Sequence, residues 1–225
     1  MILLASAKTM KPSDTTGATK PIFKEKAKPI RESIANLDQE QLAAYFKIKG
    51  KTLDTTNNYY SQPIHGKVYT SLDGAVFKQV TATDESYIKN NLFVLDAMYG
   101  ILRGTDQIEL FRLDFNTKSL LEQTYYNYWK EDVHNFIENS NHKQLLVLTS
   151  DEYTKLLKLK DLNKQIFEIE FDSEIKSTVH KKQARGKIAN YCIENKIDDY
   201  SKLDNTQIEE YKLQLNGTKL VITRA

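Results

Sequence analysis

Residues 95–115 read LDAMYGILRGTDQIELFRLDF, and the rest of the chain is organised around them. Upstream, Thr83 or Asp84 can cap a helix. Ile88, Leu92, Leu95, Met98 and Leu102 then follow at helical spacing, which predicts one amphipathic core helix. Gly100 and Gly104 break that pattern, and Ile108–Phe115 reads as a strand. The stretch brings Tyr99, Arg103, Asp106, Arg112 and Asp114 close together in sequence. Arginine offers a planar fork of donors suited to phosphate or carboxylate. An Arg–Asp pair that merely pins a turn accounts for the same residues equally well.

Working outward to both ends, 225 residues suit one sizeable domain. An apolar share of 40% with 28% charged residues is that of an ordinary globular chain, and a net charge of +2 names no partner. Cys192 is the single cysteine, which excludes an intrachain disulfide and a resolving partner for peroxide chemistry. His65, His134, His142 and His180 show no metal-ligand spacing, so neither a metal site nor a cofactor is expected. The opening MILLASAK is too short for a secretory segment and no stretch approaches a membrane span, which together predict a cytoplasmic protein.

Ile2–Ala5 reads as a buried strand running into Ser6-Ala7-Lys8-Thr9. Loops at the carboxyl ends of strands are favoured ligand positions, which makes Lys8 a candidate, although a solvated lysine fits as well. Residues 11–31, with Pro12, Pro21, Pro29 and several lysines, read as a long basic irregular segment. Asp38 can cap a helix through Leu42 and Phe46. A turn at Ile48-Lys49-Gly50-Lys51 then leads to a second helix through Tyr59. Helix, glycine turn, helix is the outline of a helix-hairpin-helix element, spanning residues 33–62, whose turn N–H groups can meet a phosphate. A glycine C-cap is the plainer alternative.

Tyr126, Trp129, Val133, Phe136 and Ile137 mark another helix, and Leu145–Leu148 a buried strand. That strand ends in Thr149-Ser150-Asp151-Glu152-Tyr153, where Ser150 or Asp151 would cap a helix carrying Leu156 and Leu157. A strand that ends at a helix N-terminus is suited to anions, and Glu152 would oppose one unless it pairs with a base or acts as an acid. Phe167, Ile169 and Phe171 alternate with acids, predicting a strand, and Ile175–Val179 a second strand hairpinned to it. A helix follows through His180-Lys181-Lys182-Gln183-Ala184-Arg185-Gly186. Lys181 and Arg185 lie one turn apart, the best electrostatic candidate for phosphate contact, against a merely solvated basic face. Leu215–Ile222 closes the chain as a strand or hairpin.

Several pieces, in order along nearly the whole chain, resemble the YaaA family of bacterial peroxide-stress proteins. They are Lys8-Thr9, Gly66 with Val68-Tyr69, Tyr99-Gly100 with Leu102-Arg103 and Asp106, Arg112-Leu113-Asp114, Ser150 with Glu152-Tyr153, Lys182 with Ala184-Arg185-Gly186, and the closing Leu220-Val221-Ile222-Thr223-Arg224. The sequence departs from the family pattern at Ala5, Ser6, His65, Lys67, Lys130 and Val147. The resemblance implies a single α/β (α+β) domain over residues 1–225, with a mixed, strongly curved sheet flanked by helices and a helix-hairpin-helix-like element. It implies a role in resisting peroxide by limiting iron-dependent damage, with DNA as the partner.

The cationic set expected to meet DNA phosphates is Lys8, Arg103, Arg112, Lys182 and Arg185, and the wider anion-binding set adds Thr9, Ser150 and Lys181, with Lys49, Gly50 and Lys51 at the helix turn. An enzyme acting on damaged or modified bases is the other reading. It would use Lys182 or Lys8 as nucleophile and Asp106 or Glu152 as acid/base.

Overall fold

The computed structural model describes residues 1–225. The chain opens with strand β1 (Ile2–Ala5) and then three helices, α1 (Lys24–Ala35), α2 (Gln39–Phe46) and α3 (Lys51–Ser61). Strand β2 (His65–Lys67) and the single turn α4 (Val68–Ser71) lead to α5 (Glu85–Asn91). Strands β3 (Leu92–Asp96), β4 (Gly100–Arg103) and β5 (Gln107–Glu109) follow, then α6 (Tyr125–Glu138) and β6 (Gln144–Val147). The last part holds α7 (Asp151–Thr154), β7 (Gln165–Phe171), α8 (Thr178–Glu194), β8 (Thr206–Ile208), β9 (Tyr211–Asn216) and β10 (Lys219–Arg224).

Eight strands form one mixed sheet in the order β4-β3-β1-β6-β7-β10-β9-β8. Its centre, β3 to β10, is parallel, and an antiparallel strand or hairpin finishes each side. Strands covered on both faces read as continuous apolar runs, and Ile2, Leu3, Leu4, Leu145 and Leu146 are all fully buried. The buried apolar side chains form one cluster. The molecule is thus a single-domain α/β protein. The small β2–β5 ladder lies outside the main sheet.

The helix expected through Leu102 stops at Asn91. Asp84 caps it as anticipated, accepting from Tyr87 N at 2.9 Å. Residues 92–96 instead form β3, whose every residue is buried between β1 and β4. A short apolar run fits a buried strand or a buried helix equally, and ladder pairing decides here. Asp96 turns the chain: its Oδ1 accepts from Met98 N at 2.7 Å and Tyr99 N at 2.9 Å. Gly100 has φ +74, and a Cβ there would lie 2.7 Å from the Trp129 ring, so only glycine fits. Tyr99, Gly100 and Arg103 therefore belong to a β-hairpin rather than to a helix end.

Four further expectations change. The strand expected over 108–115 pairs only at Gln107–Glu109, and the rest runs on without a ladder. Part of the irregular 11–31 segment is α1, which tolerates Pro29 because Ala27, Ile30 and Ile34 bury one face. Helix α7 is a single turn ending before the buried Leu156 and Leu157. No hairpin follows β7; Thr178 already lies in α8, and β7 runs parallel between β6 and β10. The helix at Asp38 forms with a full capping box to Gln41. The turn after it carries Gly50 at φ +56.

Candidate functional site

The path of the chain creates the site. From β1 the chain returns to the sheet at β3 on one side, then crosses through α6 to β6 on the other side. Such a reversal leaves a crevice outside the carboxyl ends of the two adjacent strands, the usual ligand position in open α/β sheets. A cavity of about 310 Å³ occupies that crevice.

The end of β1 supplies Ser6, Lys8 and Thr9. Lys8 Nζ lies 2.8 Å from Asp114 Oδ2, and its carbonyl accepts from Arg112 Nη1 at 3.3 Å. Tyr60 clasps the Arg112 backbone, donating to its carbonyl at 2.9 Å and accepting from its N–H at 3.2 Å. The end of β6 supplies Leu148, Ser150 and Glu152. Ser150 stands at the N-cap of α7 without making a side-chain cap bond. The Tyr126 hydroxyl donates to the Glu152 carbonyl at 2.8 Å, while the Glu152 carboxylate has no partner. Burial, reinforced by Asp114, holds that carboxyl above the usual range, against the pull of Lys8, Lys182 and Lys155.

Helix α8 supplies Lys182 and Arg185. Its close approach depends on Gly186, where a Cβ would fall 2.1 Å from the Val76 carbonyl oxygen. Opposite, a Cβ at Gly74 would lie 2.8 Å from the Ala7 Cβ, and residues 74–77 wall the cavity. The Arg185 guanidinium sits 5.0 Å from the Phe171 ring centroid, with Lys181 Nζ at 5.6 Å from the same ring. Arg185 Nε is buried with no hydrogen-bond partner. Burial lowers its proton affinity, and Asp151 partly offsets that. Neither Lys182 nor Arg185 forms an ion pair, whereas Lys8 does.

The structure thus brings Lys8, Thr9, Ser150, Glu152, Lys182 and Arg185 around one cavity, with Arg112 and Lys181 at its edge. It places Arg103 and Asp106 elsewhere, at the turn after β4. Asp106 Oδ2 accepts from Arg103 N at 2.8 Å, and Arg103 Nη1 lies 3.9 Å from Oδ1. Asp106 is fully buried and does not line the cavity. Lys49, Gly50 and Lys51 stand on the exposed α2–α3 turn, also away from it.

Sequence reasoning passed over two residues of the cavity wall and one buried acid that does not itself line the cavity. Phe77 and Tyr153 form apolar wall of the cavity. Asp96, at the end of β3, is wholly buried with Oδ2 unpartnered, and burial pushes it up to about 6. The Ser6 hydroxyl lies beside it, also without a formed hydrogen bond. An acid inside the apolar run LFVLDAM was the available signal. No group of three His, Cys, Asp or Glu side chains is placed to hold a metal ion. Cys192 is fully buried and its thiol pushed up to about 12, which disfavours the reactive thiolate. No helix is long and apolar enough to cross a membrane.

Fold and crevice together define a single-domain α/β protein with two unpaired cations, Lys182 and Arg185, at a switch-point cavity. The family model described as "Peroxide stress protein YaaA" matches residues 1–216. A UPF0246 protein of Crocosphaera subtropica is 30% identical, the match covering 90% of each chain. A UPF0246 protein of Fusobacterium nucleatum is 28% identical over 87% of this chain and 84% of its own. One from Clostridium beijerinckii is 28% identical over 100% of this chain and 97% of its own. The chain belongs to the YaaA family of peroxide stress proteins.

Proposed function

We propose that the chain protects DNA during peroxide stress by binding it at the cationic crevice, and so limits iron-dependent damage. One observation carries the reading: the half-buried Arg185 guanidinium has no carboxylate partner and an unsatisfied Nε. An uncompensated, partly desolvated cation is costly, and a phosphate oxygen relieves it. Lys182 adds a second unpaired charge, and the Lys49-Gly50-Lys51 turn offers a further exposed backbone contact. Shielding DNA needs no metal ligand of the protein's own, so the effect on iron damage is indirect.

The test is binding to duplex, single-stranded and branched DNA across a salt series, wild type beside Lys182→Ala. Affinity should fall steeply with salt, and the variant should lose affinity for every sequence alike, with a salt slope shallower by about 1. Absence of binding at low salt would overturn the reading.

A second reading, an enzyme acting on damaged or modified bases, is favoured by Lys182 and Glu152 sharing one cavity. Lys182 Nζ, once deprotonated, would add to C1′ of the nucleotide as the base leaves with a proton from Glu152; the C1′–O4′ bond then breaks as a proton passes from nitrogen to O4′, leaving an imine that borohydride reduces. Lys8 suits the nucleophile less well, because its Nζ is already held 2.8 Å from Asp114 Oδ2. Borohydride trapping of a covalent DNA adduct, lost in Lys182→Ala, separates catalysis from plain binding.

A further inference from the structure

The DNA reading leaves one charge unexplained. Glu152 lines the cavity beside Lys182 and Arg185, yet its carboxylate touches neither within ion-pair distance, and all three are unpaired. A bare phosphate would answer the two cations and be opposed by Glu152. Part of the remaining wall is apolar, built from Phe77, Leu148 and Tyr153, beside the polar Ser6, Thr9 and Ser150 and the Asp114-paired Lys8. The matching occupant carries an anionic group for the cations, N–H donors for the carboxylate and a flat apolar body.

We infer that the cavity takes a single unpaired nucleotide, its phosphate on Lys182 and Arg185 and its base edge on Glu152, with guanine preferred. The inference rests on the DNA reading and names what enters the crevice. A hollow of about 310 Å³ is far too small for a base-paired duplex, so only a single-stranded or extruded nucleotide can enter. The apolar wall suits a base that has left its stack. An ionised carboxylate only accepts hydrogen bonds. Guanine alone presents two adjacent donors, N1–H and the N2 amino group, on its pairing edge. Adenine and cytosine set an acceptor beside their single donor group, and thymine flanks its one donor with two acceptors. The carboxylate therefore makes a bidentate pair with guanine and is partly repelled by the others.

The experiment is calorimetric titration of the full chain with dGMP, dAMP, dCMP, dTMP and inorganic phosphate at one ionic strength, beside a DNA hairpin duplex. A bidentate base contact should make dGMP bind at least about tenfold tighter than the other nucleotides and than phosphate. Glu152→Gln keeps the shape, removes the second acceptor and should erase that ranking while nucleotide binding persists. Four nucleotides binding equally, or no tighter than phosphate, overturns base reading. If the duplex then still binds in a salt-dependent way, DNA binding survives that failure. A dGMP preference without duplex binding sustains the cavity assignment and removes the duplex.

Discussion

Two arginines drew attention in the sequence for the same reason, each beside a glycine and other charged residues, and the structure gives them opposite surroundings. Arg103 sits at the turn after β4, where buried Asp106 accepts from its backbone and lies 3.9 Å from its guanidinium. Arg185 sits on α8 over the Phe171 face, its nearest acid too far to pair and its Nε unsatisfied. The first has internal compensation and holds a turn. The second is held in place by packing and left electrostatically incomplete. Residue type did not separate a paired arginine from an unpaired one; the location of the compensating carboxylate does.

The sharpest way to break the contrast is to dislodge the second arginine without touching it. In Gly186→Ala the new Cβ meets the Val76 carbonyl oxygen at 2.1 Å, a backbone atom that cannot swing away. The expected loss reaches or exceeds about 3 kcal/mol, the upper end of ordinary overpacking, read by denaturant unfolding. DNA binding should fall with it, because α8 must lift from the 74–77 wall. Retention of both stability and binding would mean that α8 does not rely on this contact.

The hairpin side has its own test in Asp96. Its folded pKa of about 6 stands above the ordinary 3.8, a difference worth about 3 kcal/mol at most. A raised acid favours folding while protonated, and that contribution is lost as pH rises through 6. Asp96→Asn keeps an Oδ1 for Met98 N and Tyr99 N and cannot ionise. It should therefore stabilise the protein at pH 8 by up to about 3 kcal/mol, the gap closing as pH falls below 4. A gap independent of pH would show that Asp96 is not the group titrating.

These two tests also mark where the sequence was readable. Strands β1 and β6, helices α2, α3 and α6, and the closing hairpin followed from apolar runs, the Asp38 cap and alternation, because local pattern and burial agree there. Residues 92–103 misled because a strand buried on both faces has no period of its own; Leu92, Leu95 and Leu102 match a helical stripe by coincidence of spacing. Pro29 obscured α1 because the burial of Ile30 and Ile34 outweighs one lost hydrogen bond. For the site, Lys8, Ser150 and Glu152 were legible as ends of strands, and Lys182 and Arg185 as a basic cluster on a helix. Phe77, Tyr153 and the 74–77 wall were not, since their role comes from α8 lying across them, a contact far apart in sequence that depends on Gly186.

The direct comparison is Lys182→Ala against Arg103→Ala. Lys182 is exposed and unpaired at the cavity mouth, so removing it should leave stability within about 0.5 kcal/mol. It should still weaken DNA binding, about tenfold at low salt if it neutralises one phosphate in a confined site.

Arg103→Ala should produce the smallest effect, for a reason that tests the whole distinction. Its guanidinium contact is long and partly solvated, and the short bond to Asp106 comes from the backbone N–H, which alanine keeps. The expected change is below about 1 kcal/mol in stability, with DNA affinity and salt slope unchanged. Asp106 would lose a neighbouring positive charge, so its carboxyl, already raised by burial, should rise further. That makes the small destabilisation grow with pH, since the ionised acid is then less well compensated. If Arg103→Ala instead lowers DNA affinity as Lys182→Ala does, the bound strand extends to the β4 turn. An arginine with an internal partner would then still be able to meet a phosphate, and pairing would no longer separate the two classes.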